Sequence, residues 1–335
     1  MNVAIIGCGL IGRKRALALD NSDTLVACCD TNSMIAEQFA KDFECKHYLN
    51  PEQLIQEINC QIIIISVINK FAHDICILAL KKGVHVLVEK PLGLNEIEAL
   101  NMVKLAKIKN LILKTGFNHR FHPSILKAKN LIEEGVIGDL LIIRSNYGHG
   151  SRIGMETEWR SSKLLCGGGE LLDQGVHIID LVRWFAGEMK TVYGKIKTKF
   201  WDIEVEDNAF VILESENGVD IQFHVSWTNW KNVFIFEIFG SKGYLKINGL
   251  GGNYGIETLE IGIRNYQGGA PDINSYTFNE KDNSWILEWA NFKNAIIEEK
   301  EPIGSGFDGY KANQIVKYIY ESSITSLPIN IIDNY

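Results

Sequence analysis

The stretch Asn2-Val3-Ala4-Ile5-Ile6-Gly7-Cys8-Gly9-Leu10-Ile11-Gly12 decides how the rest of the chain is read. Its first half is a short apolar run, NVAII, of the kind that forms a buried strand. Three glycines at G-x-G-x-x-G spacing follow, and then a helical pattern, IGRKRALALD. That spacing has meaning only between a strand and a helix, which is where it stands. Gly7 permits the tight turn, Gly9 lets the backbone approach a pyrophosphate, and Gly12 lets the helix lie close to the sheet. The helix N-terminus, around Leu10 and Ile11, then offers free N–H groups and a partial positive charge to phosphate oxygens. A plain structural turn is the alternative.

Working outward, TLVACC reads as a second strand, ended by Asp30. A carboxylate there accepts the ribose hydroxyls of NAD and repels the extra phosphate of NADP. Thr31, Asn32 and Ser33 follow, so no adjacent Arg stands ready for that phosphate. NAD is therefore expected rather than NADP. Helical SMIAEQFAKDF, a short piece at Cys45–Tyr48, helical PEQLIQEI, the strand run QIIIIS, helical FAHDICILALKKG, the strand VHVLVE, the long helix NEIEALNMVKLAKIKN and strand-like LILKTGF complete the alternation. Strands that alternate with helices, and are apolar throughout, indicate a parallel sheet covered on both faces.

Beyond about residue 120 the rhythm changes. After a helix over PSILKAKNLIEEG come strands in series: DLLIIRSNY, TVYGKIKTKF, NAFVILES, GVDIQFHVSW, VFIFEIFG and GYLKING. Turn signals at Glu216-Asn217-Gly218 and Ser241-Lys242-Gly243 separate neighbours and imply antiparallel pairing. The fold class is thus α/β: a Rossmann domain over residues 1–119, then an α+β domain over 120–335 built on an open, mostly antiparallel sheet. The last helix is left free to pack back on the first domain. One face of the open sheet needs cover, and Phe234 and Phe236 are read as part of an apolar face that a second copy of the chain buries.

Composition narrows the function classes. The hydrophobic share of 46% and charged share of 22% suit a globular protein. A net charge of -7 with no basic block argues against nucleic acid. No apolar run reaches the roughly 18 residues of a membrane helix, and no cleavage site follows the apolar start, so a cytoplasmic protein is expected. The seven cysteines include no C-x-x-C pair. They read as small buried hydrophobes, and no metal site is expected.

Two further stretches carry chemistry. Glu89-Lys90-Pro91 follows the strand VHVLV, and ligands of open parallel sheets bind beyond the carboxyl ends of strands. GELLDQGVHIID, residues 169–180, has apolar residues at helical spacing but sets Asp173 and His177 at i and i+4, on one helix face. His is the side chain suited to take a proton near neutral pH. A satisfied core histidine and a surface lysine are the bland alternatives. Asp180 reads as structural.

GCGLIG, HVLVEKPLG, GFNHRF, GGGELLDQGVHIIDLVRWF and DGYKANQIVKYIYESS together resemble the Gfo/Idh/MocA oxidoreductases across essentially the whole chain. The resemblance implies a homodimer or homotetramer formed through the C-terminal sheet, and a sugar, sugar nucleotide or cyclitol as substrate. His177 is implied as the base on a substrate hydroxyl, with Lys90 steadying the developing alkoxide. Asp173 would bind a neighbouring hydroxyl or orient the other two. Ser66, Asn69, His73, Glu89, Lys90 and Asn118 are implied around the cofactor, and Asn118, Trp159 and Arg160 near the substrate. Two positions depart from relatives: Val67-Ile68-Asn69 lacks their Pro, and Arg15 stands where many carry His. Two other activities fit the same motifs, a glycosidase or lyase that oxidises its sugar transiently on bound NAD, and a non-catalytic dinucleotide sensor.

Overall fold

A computed structural model of the chain describes residues 1–332. The first unit comprises Met1–Asn118, Leu164–Gly167 and Trp285–Asn313; the second comprises His119–Lys163, Gly168–Ser284 and Gln314 onward.

Six strands form the sheet of the first unit: β1 (Asn2–Ile6), β2 (Thr24–Cys29), β3 (Lys46–Tyr48), β4 (Ile62–Ile65), β5 (His85–Val88) and β6 (Leu113–Thr115). All pair in parallel, in the order β3-β2-β1-β4-β5-β6. That is the doubly wound Rossmann order, with its switch point between β1 and β4. The helices are α1 (Leu10–Leu17), α2 (Ser33–Asp42), α3 (Pro51–Glu57), α4 (Asn69–Lys82) and α5 (Glu96–Ile108). Asn32, Asn50 and Asn95 cap α2, α3 and α5, each side-chain oxygen accepting from two backbone N–H groups of the first turn. Gly83, at φ 88°, ends α4 in the left-handed conformation.

Because successive residues of a strand face opposite ways, β1 feeds two cores. Ala4 and Ile6 join Leu54, Ala79, Leu80, Ala99 and Met102 of α3, α4 and α5. Val3 and Ile5 join Ala16, Phe39, Trp289 and Phe292. The last two belong to the helix Ser284–Glu298, so a late segment of sequence completes the second face of the Rossmann sheet. Cys8, Cys28, Cys29, Cys60, Cys76 and Cys166 are buried, and Cys45 is partly so.

The second unit is a mixed sheet: β7 (Leu140–Gly148), β8 (Met189–Lys197), β9 (Asn208–Ser215), β10 (Asp220–Ser226), β11 (Val233–Gly240), β12 (Gly243–Asn248), β13 (Glu257–Ile263), β14 (Asp272–Phe278) and β15 (Ile329–Asn330). The order is β14-β13-β12-β11-β7-β10-β9-β8-β15, and every pair is antiparallel except β7 with β10. β13, β14 and β15 are additions to the strands read from sequence.

The buried face of this sheet carries Ile143, Tyr147, Val211, Leu213, Phe223 and Val225. Phe234 and Phe236 also lie on it, 2% and 0% exposed. This corrects their assignment to a face covered by another copy: β11 is apolar at nearly every position, so sequence alone leaves its parity undetermined. The outer face instead shows Ile142, Phe210 and Ile212, all classed as exposed.

Candidate active site

In the first unit, the residues expected around a dinucleotide converge on the carboxyl ends of neighbouring strands. Gly7 follows β1, Asp30 follows β2, Ser66 follows β4 and Glu89-Lys90 follows β5. Gly7 has φ +98°, and a Cβ there would stand 2.3 Å from the Ser66 carbonyl oxygen. A Cβ on Gly12 would stand 1.9 Å from the Gly7 carbonyl oxygen. These two glycines are thus demanded by the chain's own backbone. Gly9 differs: a Cβ on it would meet nothing within 4 Å, so the middle of the loop opens on free space. Among the described residues no side chain caps α1, so its first-turn N–H groups at Leu10, Ile11 and Gly12 are not claimed by a cap. Both features fit a pyrophosphate.

Hydrogen bonds fix the loop from two sides. The Ser66 hydroxyl donates to the Gly7 carbonyl at 2.8 Å. The Asp30 carboxylate accepts from the Cys8 N–H at 3.0 Å and the Asn32 N–H at 3.0 Å. Asp30 therefore braces the glycine loop from the end of β2, where a ribose would lie.

Other expected contacts are placed differently. The Asn69 amide donates to the Cys166 carbonyl at 2.9 Å, so its side chain joins two pieces of the same unit. His73, on the second turn of α4, pairs through Nδ1 with Asp74 at 2.8 Å. Glu89 is engaged by Arg15, whose Nε and Nη2 reach it at 2.6 and 2.5 Å. Arg15 also donates through Nη1 to Glu288 at 2.5 Å, and Lys114 lies 3.5 Å from Glu288. Arg15, Lys114 and Glu288 are fully buried, and Trp285 stacks on the Arg15 guanidinium at 4.5 Å. Burial opposes the charge of Arg15, but the two carboxylates outweigh it and raise its pKa. Lys90 therefore follows a residue clamped by a buried ion network. Asn118 is buried at the start of the 3₁₀ turn Asn118–Phe121.

In the second unit, Gly169–Asp180 is not one continuous α-helix. Leu171–Gly175 forms a π-turn, and α-helix resumes over Val176–Ala186. A π-turn adds a residue to the turn and recurs at functional sites. The buried Glu206 carboxylate anchors its start by accepting from the Gly169 N–H at 3.0 Å, the Leu171 N–H at 3.1 Å and the Tyr320 hydroxyl at 2.9 Å. Burial pushes the Glu206 carboxyl above its usual range despite those bonds. A Cβ on Gly168 would strike the Tyr320 hydroxyl, and one on Gly169 the Glu206 carbonyl. These two glycines serve packing within the unit.

Asp173 projects from the π-turn and faces Arg160, whose Nε lies 3.4 Å away. Arg160 in turn stacks over Trp159 at 4.4 Å. Asp173, Trp159 and Arg160 are thus gathered together. His177 lies one turn on and is 4% exposed. Its ring stacks on His119, with centroids 3.7 Å apart and planes at 11°. Asp180 accepts from Arg120 Nε and Nη2 at 2.7 and 2.6 Å, both residues buried, so it anchors the following turn.

A buried polar chain adjoins this segment. His119 Nε2 meets the Tyr147 hydroxyl at 3.0 Å, and Gln174 donates to the Tyr254 hydroxyl at 3.0 Å. Burial, then Tyr254 and the charges of Glu170 and Asp173, push Tyr147 well above the usual phenol range. Burial pushes Tyr254 up to about 12. Both stay neutral near pH 7. Sequence reading assigned no role to His119, Tyr147 or Gln174, and offered Tyr254 only as an aromatic that stacks on a sugar or fills the core. His119 and Gln174 stood inside the quoted GFNHRF and GELLDQGVHIID, but neither was read for itself.

Residues 1–117 match the model of the oxidoreductase family with NAD-binding Rossmann fold, and residues 125–246 match that of the GFO/IDH/MocA C-terminal domain. The chain is 24% identical over 286 residues to levoglucosan dehydrogenase of Pseudarthrobacter phenanthrenivorans, covering 74% of this chain and 73% of that one. It is 26% identical over 325 residues to myo-inositol 2-dehydrogenase of Thermotoga maritima, covering 93% of each. A solved structure of levoglucosan dehydrogenase in complex with NADH and levoglucosan superposes with a TM-score of 0.92 at 23% identity, over 99% of this chain and all of that one.

Proposed function

The chain belongs to the Gfo/Idh/MocA family of NAD-binding oxidoreductases, and from that premise we propose that it transfers a hydride between NAD and a secondary alcohol or ketone of a sugar or cyclitol. The observation that carries the reading is the pair of Asp173 on the π-turn and His177 on the turn that follows, a carboxylate and a buried imidazole held by a rigid helix. When bound, the nicotinamide supplies the hydride acceptor. Gly7, Gly9, Leu10, Ile11 and Gly12 hold the pyrophosphate, and Asp30 the ribose. Ser66 serves by fixing the loop. Lys90 and Asn118 would line the nicotinamide end, with Glu89 and Asn69 fixed nearby by Arg15 and the Cys166 carbonyl.

His177 takes the hydroxyl proton as the alcohol is oxidised, a role worth about 10²–10⁴ in rate. Lys90 donates a hydrogen bond to the same oxygen and stabilises its developing negative charge. Asp173 binds a neighbouring hydroxyl, and its ion pair with Arg160 fixes its rotamer. Trp159 and Arg160 offer a flat surface for the sugar ring. In reverse, His177 donates the proton to a ketone oxygen. The sugar and cyclitol class is supported by the relatives, named for levoglucosan and myo-inositol.

Preference for NAD over NADP is supported by Asp30 with Thr31, Asn32 and Ser33 beside it. Self-association through the outer face of the C-terminal sheet, as a homodimer or homotetramer, is supported by Phe210 and Ile212, 45% and 55% exposed. A cytoplasmic location is supported by the free thiols of Cys8, Cys28, Cys29, Cys45, Cys60 and Cys76. No helix among the described residues is long and apolar enough to cross a membrane. The test is a screen of free, phosphorylated and nucleotide-linked sugars and of cyclitols with NAD, followed at the absorbance of NADH. Accumulating NADH supports the reading. Consumption of a glycoside without NADH would instead reveal transient oxidation.

A further inference from the structure

The His177 ring is buried on the α-helix that follows the π-turn. It lies face to face with a second imidazole, His119, on the 3₁₀ turn that opens the second unit. His119 is itself caged. The Tyr147 ring meets it edge-on at 5.5 Å, Phe234 at 6.2 Å and His122 at 5.7 Å. Tyr147 and Phe234 pack against each other at 5.3 Å. All of these side chains are buried. Within the cage His119 is oriented by the 3.0 Å hydrogen bond between its Nε2 and the Tyr147 hydroxyl. Tyr147 packs on Tyr254 at 5.1 Å, and Tyr254 is held by Gln174 of the π-turn itself.

A ring bonded to a fixed phenol and boxed by three others cannot rotate, so its face is a fixed plane. An imidazole stacked on that plane loses freedom about χ2, the torsion that aims its nitrogens. We propose that His119 is a positioning residue for the reaction: its ring, locked by Tyr147, sets the plane of His177 and so aims the proton-accepting nitrogen. The inference rests on His177 being the base, and it assigns His119 no proton transfer of its own. Aim matters at this step because misplacement by about 1 Å can cost about a hundredfold in rate.

The test needs a readout independent of turnover. In full-length protein labelled with ¹³C-histidine, the stack displaces the His177 ring protons upfield. His119→Leu removes the aromatic face and should abolish that displacement. His119→Phe keeps a face of similar shape and should retain it. With the best sugar of the screen, His119→Leu should lower kcat about 10–100-fold and leave the NAD Kd and the sugar KM within about twofold. His119→Phe should recover most of the kcat, and Tyr147→Phe, which frees the ring but keeps the cage, should fall between. Equal losses in the Leu and Phe variants, a loss that falls on KM or on thermal stability alone, or unchanged kcat in His119→Leu would overturn the proposal. His177→Ala run in parallel separates the two readings. Full turnover there defeats the base assignment and this inference together, whereas a dead His177→Ala beside an unaffected His119→Leu defeats only this one.

Discussion

At the scale of single residues, polar side chains that the sequence scattered across the chain meet in defined pairs. Asp30 is one case. Its carboxylate accepts from the Cys8 N–H, so it supports the glycine loop besides its proposed contact with the ribose. Asp30→Ala should weaken NAD about tenfold or more and narrow its advantage over NADP, read as two Kd values by fluorescence titration. A wild type that already prefers NADP would show Asp30 misread. Arg15 is another case. It sits between Glu89 and Glu288, and removing it deprives a partly buried and a fully buried carboxylate of the guanidinium they share. Breaking a buried pair in this way costs about 3–5 kcal/mol. Arg15→Met should lose that much in urea unfolding, and the double change Arg15→Met with Glu288→Met should recover part of it. Neither partner was legible from sequence, because residues 15 and 288 are brought together only by the return of a late helix.

At the scale of elements, legibility followed periodicity. The strands and helices of residues 1–115 were readable because strands apolar on both sides alternate with capped amphipathic helices. Asp272–Phe278 was missed for the converse reason: it is exposed almost throughout, so it carries no apolar alternation to read. The π-turn was missed too. LLDQGVHIID has helical apolar spacing, and the extra residue in the turn leaves no trace in composition. The stack of His119 on His177 joins residues far apart in the sequence, and no local pattern reports it. The strand–loop–helix element makes its own prediction. A Cβ at Gly12 would overlap the Gly7 carbonyl, so Gly12→Ala should shift α1 and abolish NAD binding. At Gly9 the same change meets no protein atom. Gly9→Ala should therefore leave thermal stability nearly unchanged while weakening NAD, which calorimetry with and without cofactor would show.

At the scale of the whole molecule, the sequence named the right family and the right kind of chemistry because both units keep their motifs. It misjudged which apolar residues face outward, since β11 offers apolar side chains on both faces. Stability should also report the buried carboxylates. Burial pushes Glu257 up, but bonds from His122 and Ser124 outweigh it and hold its carboxyl below the usual range. A carboxyl lowered in the folded state adds stability that is present above its unfolded pKa of about 4.3 and is lost as pH falls through the folded value. Urea midpoints should therefore drop below about pH 4, and Glu257→Gln should flatten that drop while lowering the midpoint at pH 7. An identical acid limb in the variant would remove Glu257 from the account.

The central claim is that His177 takes the proton of a secondary alcohol while hydride leaves for NAD. Its most direct test is the rate of NADH formation by wild type and His177→Ala with the best sugar of the screen, alongside the NAD Kd of each. The account predicts a loss of about 10²–10⁴ in kcat with NAD affinity unchanged. Equal rates in the two proteins would contradict it.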